Sequence, residues 1–329
     1  MPDVPSTEPS VRRGLFISWA PFSRRTETLA RRLDLDCVQV KAPWFKRPLF
    51  APLKYPAQIV RTWRTLAATR PAEVWVMDPP APAVLTAWLY CYRRRLPLVV
   101  DMHTVGFYDP KWRLLRRLEL PALRYAACNV VTNEDLAARV RAWGCRTAIL
   151  TDPLPDPPDA GDVRPEAGSA TIIATFSEDE PIDRLPAVAR ALPDVKLYVT
   201  GRPRTDVHAW PSNLVATGFV SDAEFWRRLR ASDAVVVLTA RPNTLLSGGY
   251  EALSLGKPLV VSDQVVLRDY FGDAAVYVDD GAESIAAGIR EALDHGDELA
   301  ATSAALAELR EAEWASAARR LCAAVGRPA

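Results

Sequence analysis

At 329 residues the chain is too long for one ordinary domain and suits two of about 150–170 residues, each able to bury roughly 70% of its unfolded surface. A composition of 49% hydrophobic and 25% charged residues with a net charge of +1 excludes a disordered chain and argues against nucleic acid, for which no binding motif is present. Five cysteines, at positions 37, 91, 128, 145 and 322, have no paired spacing, and with three histidines they offer no metal cluster; a reducing cytoplasm is the expected compartment.

Residues 1–10 are polar and proline-containing and read as a loose tail, without the apolar core of a secretory signal. Strands are then expected near 14–19, 37–41, 73–77, 96–101, 129–132 and 146–150, with amphipathic helices between them. Such alternation predicts an α/β architecture with a parallel sheet. The apolar run 81–92 is about a dozen residues and ends in Arg93-Arg94-Arg95, too short to span a bilayer. Residues 1–160 carry roughly 24 cations against 15 carboxylates and the remainder roughly 17 against 25, so a basic half precedes an acidic one. The densest basic stretch begins at Lys41 and holds Trp44, Phe45, Phe50 and Tyr55. Residues 41–65 therefore read either as a peripheral contact with the inner membrane face or as a solvated, proline-rich loop.

The segment from Asp152 to Pro165 holds too many prolines for a helix and reads as a stiff linker. Beyond it strands are expected near 171–176, 196–200, 214–217, 234–239, 258–262 and 275–278, and an alanine-rich helix over 300–324 with Trp314 as an anchor. The expected division is an N-terminal Rossmann-like domain over 1–152, a linker over 153–170, a C-terminal Rossmann-like domain over 171–300, and a terminal helical segment over 301–329 packing back on the first domain. The two domains are expected to face each other across a cleft at the C-terminal ends of their strands. No G-x-G-x-x-G follows a strand and no Walker loop is present, so dehydrogenase and P-loop readings fall away.

The most informative stretch runs from Asn243 through Ser247-Gly248-Gly249-Tyr250-Glu251 to Asp263. An apolar strand feeds a glycine-containing loop and a helix start, where unpaired N–H groups and the helix dipole favour an anion such as a pyrophosphate. Glu251, one turn on, either accepts two adjacent sugar hydroxyls or, with Gly248 as N-cap, is only a first-turn carboxylate stabilising its helix. From Ile172 to about Leu293 the chain resembles the C-terminal half of the GT-B nucleotide-sugar glycosyltransferases, in particular the retaining family 4 group, whose motif carries two glutamates eight residues apart. Glu251 matches the second; Asn243 stands where the first is expected and cannot carry negative charge near an oxocarbenium-like transition state.

The resemblance implies a cytoplasmic GT-B enzyme that transfers a sugar from a nucleotide donor to an acceptor hydroxyl, either lipid-linked or a small molecule. In that reading Glu251 holds the ribose, the amides of Ser247, Gly248 and Gly249 with neighbouring Leu246 hold phosphate, and Asn243 lies near the sugar. A retaining outcome is implied, with Asn243 leaving inversion open. The loop after the first strand of the second domain is acidic, Ser177-Glu178-Asp179-Glu180, so the phosphate cations are expected among Arg202, Arg204 and Arg241, Arg241 foremost.

In the basic half, His103 follows a strand at its C-terminal edge and resembles a histidine that contacts donor sugar or phosphate in such enzymes. The other reading is a structural histidine. Asp109 is either a base for an inverting reaction or a loop residue starting the turn before Pro110. Arg24 and Arg25 open the first helix, either toward an anion or merely solvated. No Asp-x-Asp stands in a suitable place, so no cofactor and no metal are expected. The alternatives left open are an epimerase or hydrolase on the same fold and a non-catalytic binding subunit. Abundant alanine, and arginine in excess of lysine, fit a high-GC bacterium, with polysaccharide or secondary-metabolite glycosylation as settings.

Overall fold

The computed structural model describes residues 13–20, 23–41, 51–159, 161 and 163–327. The tail at 1–10 and the aromatic positions Trp44, Phe45 and Phe50 lie outside the described residues. The chain forms two compact units, Met1–Asp152 with Ala315–Ala329, and Pro153–Trp314.

In the first unit six parallel strands, β1 (Gly14–Ser18), β2 (Leu35–Gln39), β3 (Val74–Asp78), β4 (Leu98–Met102), β5 (Cys128–Val131) and β6 (Thr147–Ile149), lie in the order β2-β1-β3-β4-β5-β6. Between them run α1 (Arg24–Arg32), α2 (Ala51–Thr69), α3 (Ala81–Arg94), α4 (Val105–Tyr108), α5 (Pro110–Tyr125) and α6 (Glu134–Ala142). Every residue of β1, β3, β4 and β5 is buried, which is why these strands read as apolar runs rather than alternating ones. Phe16, Trp19 and Trp75 are fully buried, each a stabilisation of about 1.5–3 kcal/mol or more over exposure. The chain steps from β1 out to β2 and returns to β3. That reversal puts the topological switch, where ligands bind in such sheets, between β1 and β3.

The second unit repeats the plan with β7 (Glu166–Ile172), β8 (Lys196–Thr200), β9 (Leu214–Gly218), β10 (Ser232–Val237), β11 (Leu259–Ser262) and β12 (Ala275–Val278), ordered β12-β11-β10-β7-β8-β9 and all parallel. Its helices are α7 (Leu185–Ala191), α8 (Asp222–Ala231), α9 (Ser247–Ser254), α10 (Val265–Phe271), α11 (Ala282–Asp294) and α12 (Gly296–Ala324), whose residues from Ala315 onward belong to the first unit. The switch falls between β7 and β10. Side-chain caps start several helices where the sequence supplies them: Ser23 accepts from the Thr26 N–H, Asn133 from Leu136 and Ser221 from Glu224.

Two boundaries differ from expectation. The linker ends at residue 165, not 170, because Glu166 already pairs with Ser232 of β10 and its carboxylate is held by Tyr198, Arg228 and Lys196. Nothing apolar marks Glu166-Ala-Gly-Ser as strand; cross-strand polar contacts do that work. Conversely, residues 173–176 lie beyond β7 as loop, with the Ile173 N–H making a last bond to the Val236 carbonyl. At the C-terminus Arg327 pairs with buried Glu73 at 3.1 Å and donates to the Leu33 carbonyl at 2.7 Å, fastening the end of the chain to the first unit.

Candidate functional site

At the C-terminal edge of the first sheet, Asp101 of β4 is fully buried and His103 stands two residues on, its side chain 26% exposed. The His103 Nε2 lies 3.1 Å from Asp101 Oδ2, and the His103 backbone N–H donates to the Asp78 carbonyl at 2.7 Å. Carboxylates only accept, so Nε2 donates this bond, and in the neutral imidazole Nδ1 is left as an acceptor. Arg25 grips the same carboxylate, with Nη2 2.7 Å from Oδ1 and Nε 3.0 Å from it, and also pairs with Asp152 and the Leu150 carbonyl. Burial by itself pushes the Asp101 carboxyl up, but the Arg25 charge and the His103 hydrogen bond overturn this and hold it well below the ordinary carboxylate range. Arg25 is therefore neither solvated nor turned toward a ligand: it fixes Asp101 as an anion and Asp101 fixes the imidazole.

Asp109 is the N-cap of α5. Its Oδ1 accepts from the Lys111 N–H at 3.0 Å and its Oδ2 lies 3.4 Å from Lys111 Nζ, so the turn-starting reading describes its place in the fold. Beside it, a cavity of about 500 Å³ is lined by Phe107, Tyr108, Arg113, Arg116, Arg139 and Trp143. Arg116 is shared between two buried carboxylates, 2.7 Å from Asp78 and 2.8 Å from Glu119. Burial and the neighbouring Asp78 push the Glu119 carboxyl well up, since one guanidinium cannot neutralise both.

In the second unit Glu251 is 4% exposed. Helix α9 is capped by Leu246 rather than Gly248, which puts Glu251 at the fifth helical position and outside the first turn. The first-turn reading therefore falls. Of the three expected amides, that of Gly249 already donates to the Leu246 carbonyl at 3.0 Å, leaving Ser247 and Gly248 at the helix start. The two glycines have a packing cause: a Cβ on Gly249 would sit 2.5 Å from Phe271 Cζ, and one on Gly248 3.0 Å from Ile173 and Val237. Asn243 has φ 53°, a left-handed conformation that asparagine tolerates better than most side chains.

The cations fall out differently from expectation. Arg241 Nη2 is 2.8 Å from Asp179 Oδ1, and Asp179 also accepts from Thr239 Oγ1 at 2.7 Å, so the favoured phosphate cation is already paired. In the loop after β7 the Glu180 carboxylate accepts from the N–H groups of Thr175 at 3.0 Å and Ser177 at 3.1 Å. A carboxylate thus occupies amides that suit an anion. Arg202, at the C-terminal edge of β8, is exposed and has no ion-pair partner among the described residues. It is held there by Gly201, whose φ of 89° and approach to the Ala174 carbonyl leave no room for a side chain. Gln264, which the sequence did not flag, donates to the Thr239 carbonyl at 2.7 Å while its buried Oε1 lacks a partner. Among the described residues no group of three histidine, cysteine or carboxylate side chains is placed to hold a metal ion. A larger cavity, about 570 Å³, lies among Asp233, Lys257, Pro258 and Asp297 at the N-terminal ends of β10 and β11, the edge opposite to where open α/β sheets bind ligands.

Two six-stranded parallel Rossmann-like units, each with its polar groups gathered at strand C-termini, define the GT-B class of fold. Residues 17–153 match the family described as glycosyl transferase 4-like domain and residues 183–323 that described as glycosyl transferase-like, so each unit carries a glycosyltransferase-type domain. No curated protein matches the sequence. Among solved structures, the chain is similar to Anabaena HepE in complex with UDP-glucose, with a TM-score of 0.69 and 12% identity over 95% of this chain and 99% of that one. Sucrose-phosphate synthase from Thermosynechococcus elongatus gives a TM-score of 0.68 and 13% identity over 94% and 97%. The glycotransferase of kitacinnamycin gives 0.60 and 14% over 95% and 99%.

Proposed function

We propose that the protein transfers a glycosyl group from a nucleoside-diphosphate sugar to an acceptor hydroxyl without a metal ion. The observation that carries this reading is Glu251, a carboxylate 4% exposed on the helix that follows the central strand of the second sheet. Its two oxygens match two adjacent ribose hydroxyls. The Ser247 and Gly248 amides and Arg202 take the diphosphate, and Asn243 meets the sugar. HepE has been crystallised with UDP and with UDP-glucose, which makes uridine diphosphate the first nucleotide to try.

The first unit takes the acceptor. His103 offers Nδ1 to a hydroxyl while Asp101 holds Nε2–H, and Arg25 keeps Asp101 charged. In a retaining transfer the leaving phosphate takes the acceptor proton on the same face; in an inverting one His103 takes it. Asn243 supplies no carboxylate to stabilise the cationic sugar, so the departing diphosphate does so in the retaining case.

Nucleotide release from UDP-sugars, measured with and without hydroxyl acceptors, tests the reading. Release that rises with acceptor is expected. Release that is the same in water alone would point to the hydrolase or epimerase alternative. His103→Ala is expected to lower turnover by roughly 10²-fold or more while keeping nucleotide affinity. The pairing of Arg241 with Asp179 and of the loop amides with Glu180 favours one second reading, a nucleotide-sugar-binding subunit without turnover. Tight nucleotide binding with no release under any acceptor would select it.

A further inference from the structure

Of the ten large apolar side chains that stand exposed among the described residues, seven lie on four consecutive helices of the first unit: Ile59 and Val60 on α2, Leu89 and Tyr92 on α3, Val105 on α4, Leu114 and Leu118 on α5. Leu114 is 80% exposed, Leu118 62%, Tyr92 61% and Val60 50%. The right-handed crossovers β2–α2–β3, β3–α3–β4 and β4–α5–β5 put these helices on one face of the sheet, and α2 packs on α3 and α3 on α5. Tyr92 and Tyr125 meet across the α3–α5 seam at 5.9 Å.

The exposed charge on the same helices has one sign. Arg61 and Arg64 on α2, Arg93 and Arg94 on α3, and Lys111, Arg113 and Arg117 on α5 are all exposed. The carboxylates of residues 51–125 are Glu73, Asp78, Asp101, Asp109 and Glu119; four are buried and Asp109 is half-buried against Lys111. Exposed carboxylates return only at Glu134 and Asp135, where α6 begins. A solvated face would intersperse both signs and keep leucine inward. This one alternates cations with outward leucines, valine and tyrosine, the composition of a surface that lies on anionic headgroups and lets short apolar side chains enter the acyl boundary.

We propose that the outer face of α2, α3 and α5 docks on an anionic lipid bilayer, holding the first unit at the membrane surface. No described helix is long and apolar enough to cross one, so the contact is peripheral. A nucleic-acid partner would use the cations but leave Leu114 and Leu118 in water. The inference does not depend on the donor reading, since neither Glu251 nor His103 enters it.

Flotation of the full chain with vesicles tests it, comparing pure phosphatidylcholine with phosphatidylcholine containing 30% phosphatidylglycerol. The expected result is binding to the anionic vesicles alone, weakened by 0.5 M salt. Arg64→Glu with Arg117→Glu should lower it by at least about tenfold, at about one factor of five per cation removed. Leu114→Gln with Leu118→Gln should also weaken it, and because all four positions are exposed the melting temperature should hold. Equal binding to both vesicle types, no vesicle binding, binding untouched by both double variants, or displacement by an oligonucleotide of matched charge would overturn the proposal.

Discussion

Asp101 shows how much one buried carboxylate depends on its neighbours. With Arg25 in place its folded pKa is depressed, so its stabilisation is present above the unfolded value of about 3.9 and is lost as pH falls through the folded one. The first unit is accordingly expected to hold down to about pH 4 and to weaken below it. Asp101→Asn should remove about 3–5 kcal/mol at neutral pH, because Arg25 is left buried with a partner lost, and should flatten that acid limb in melts recorded from pH 2 to 7. A neutral melt unchanged by the substitution would remove the clamp from this account. None of this was legible in the sequence. Arg25, Asp101 and Asp152 are far apart along the chain, and Arg25 taken alone reads as an exposed first-turn arginine. His103 was legible because a strand end places it. Asp109 was legible as a turn residue, and the cap is what the structure gives it.

At the scale of elements, α9 and the loop after β7 flank the proposed nucleotide site. Gly249 sits where Phe271 would meet a Cβ at 2.5 Å, so Gly249→Ala is expected to destabilise the second unit by about 1–3 kcal/mol even though alanine favours helices. Denaturant melts without nucleotide decide this, since a glycine needed only for phosphate approach would leave the empty protein unharmed. In the β7 loop, Glu180 stands on the Thr175 and Ser177 amides like an internal anion. Glu180→Ala frees those donors, and calorimetric titration with UDP is expected to show affinity raised by several-fold, on the scale of about 1 kcal/mol for the net worth of one hydrogen bond. Unchanged or lower affinity in a folded variant would mean that diphosphate does not reach this loop. The acidic run Ser177-Glu178-Asp179-Glu180 could be read from the sequence as repulsive; that two of its carboxylates are consumed by Arg241 and by backbone amides could not, because both pairings arise only when the loop folds back across β7 and β10.

Across the molecule, eleven of the twelve strands among the described residues stand close to where the sequence puts them, most plainly the inner ones, because parallel strands covered on both faces leave a continuous apolar signal. The exception, the start of β7, is polar and is fixed by Tyr198, Arg228 and Lys196 from other elements. The α9 edge of the second unit was legible as a strand, a glycine-containing loop and a helix, but the helix begins two residues earlier than its glycines suggest, which moves Glu251 from a capping position to the fifth helical residue. Burial changes what that residue means: Glu251 is 4% exposed rather than a solvated first-turn glutamate, and its proposed role on the ribose is open to direct test. The most direct measurement is a thermal-shift comparison of wild type and Glu251→Ala with UDP, GDP, TDP, ADP and CMP, each at about 100 times its dissociation constant, where one-site binding adds about 2.7 kcal/mol. The account predicts that one diphosphate stabilises the wild type and that the variant, folded, loses about 1.5–3 kcal/mol of that affinity. Equal stabilisation of both proteins, or none of either, would contradict it.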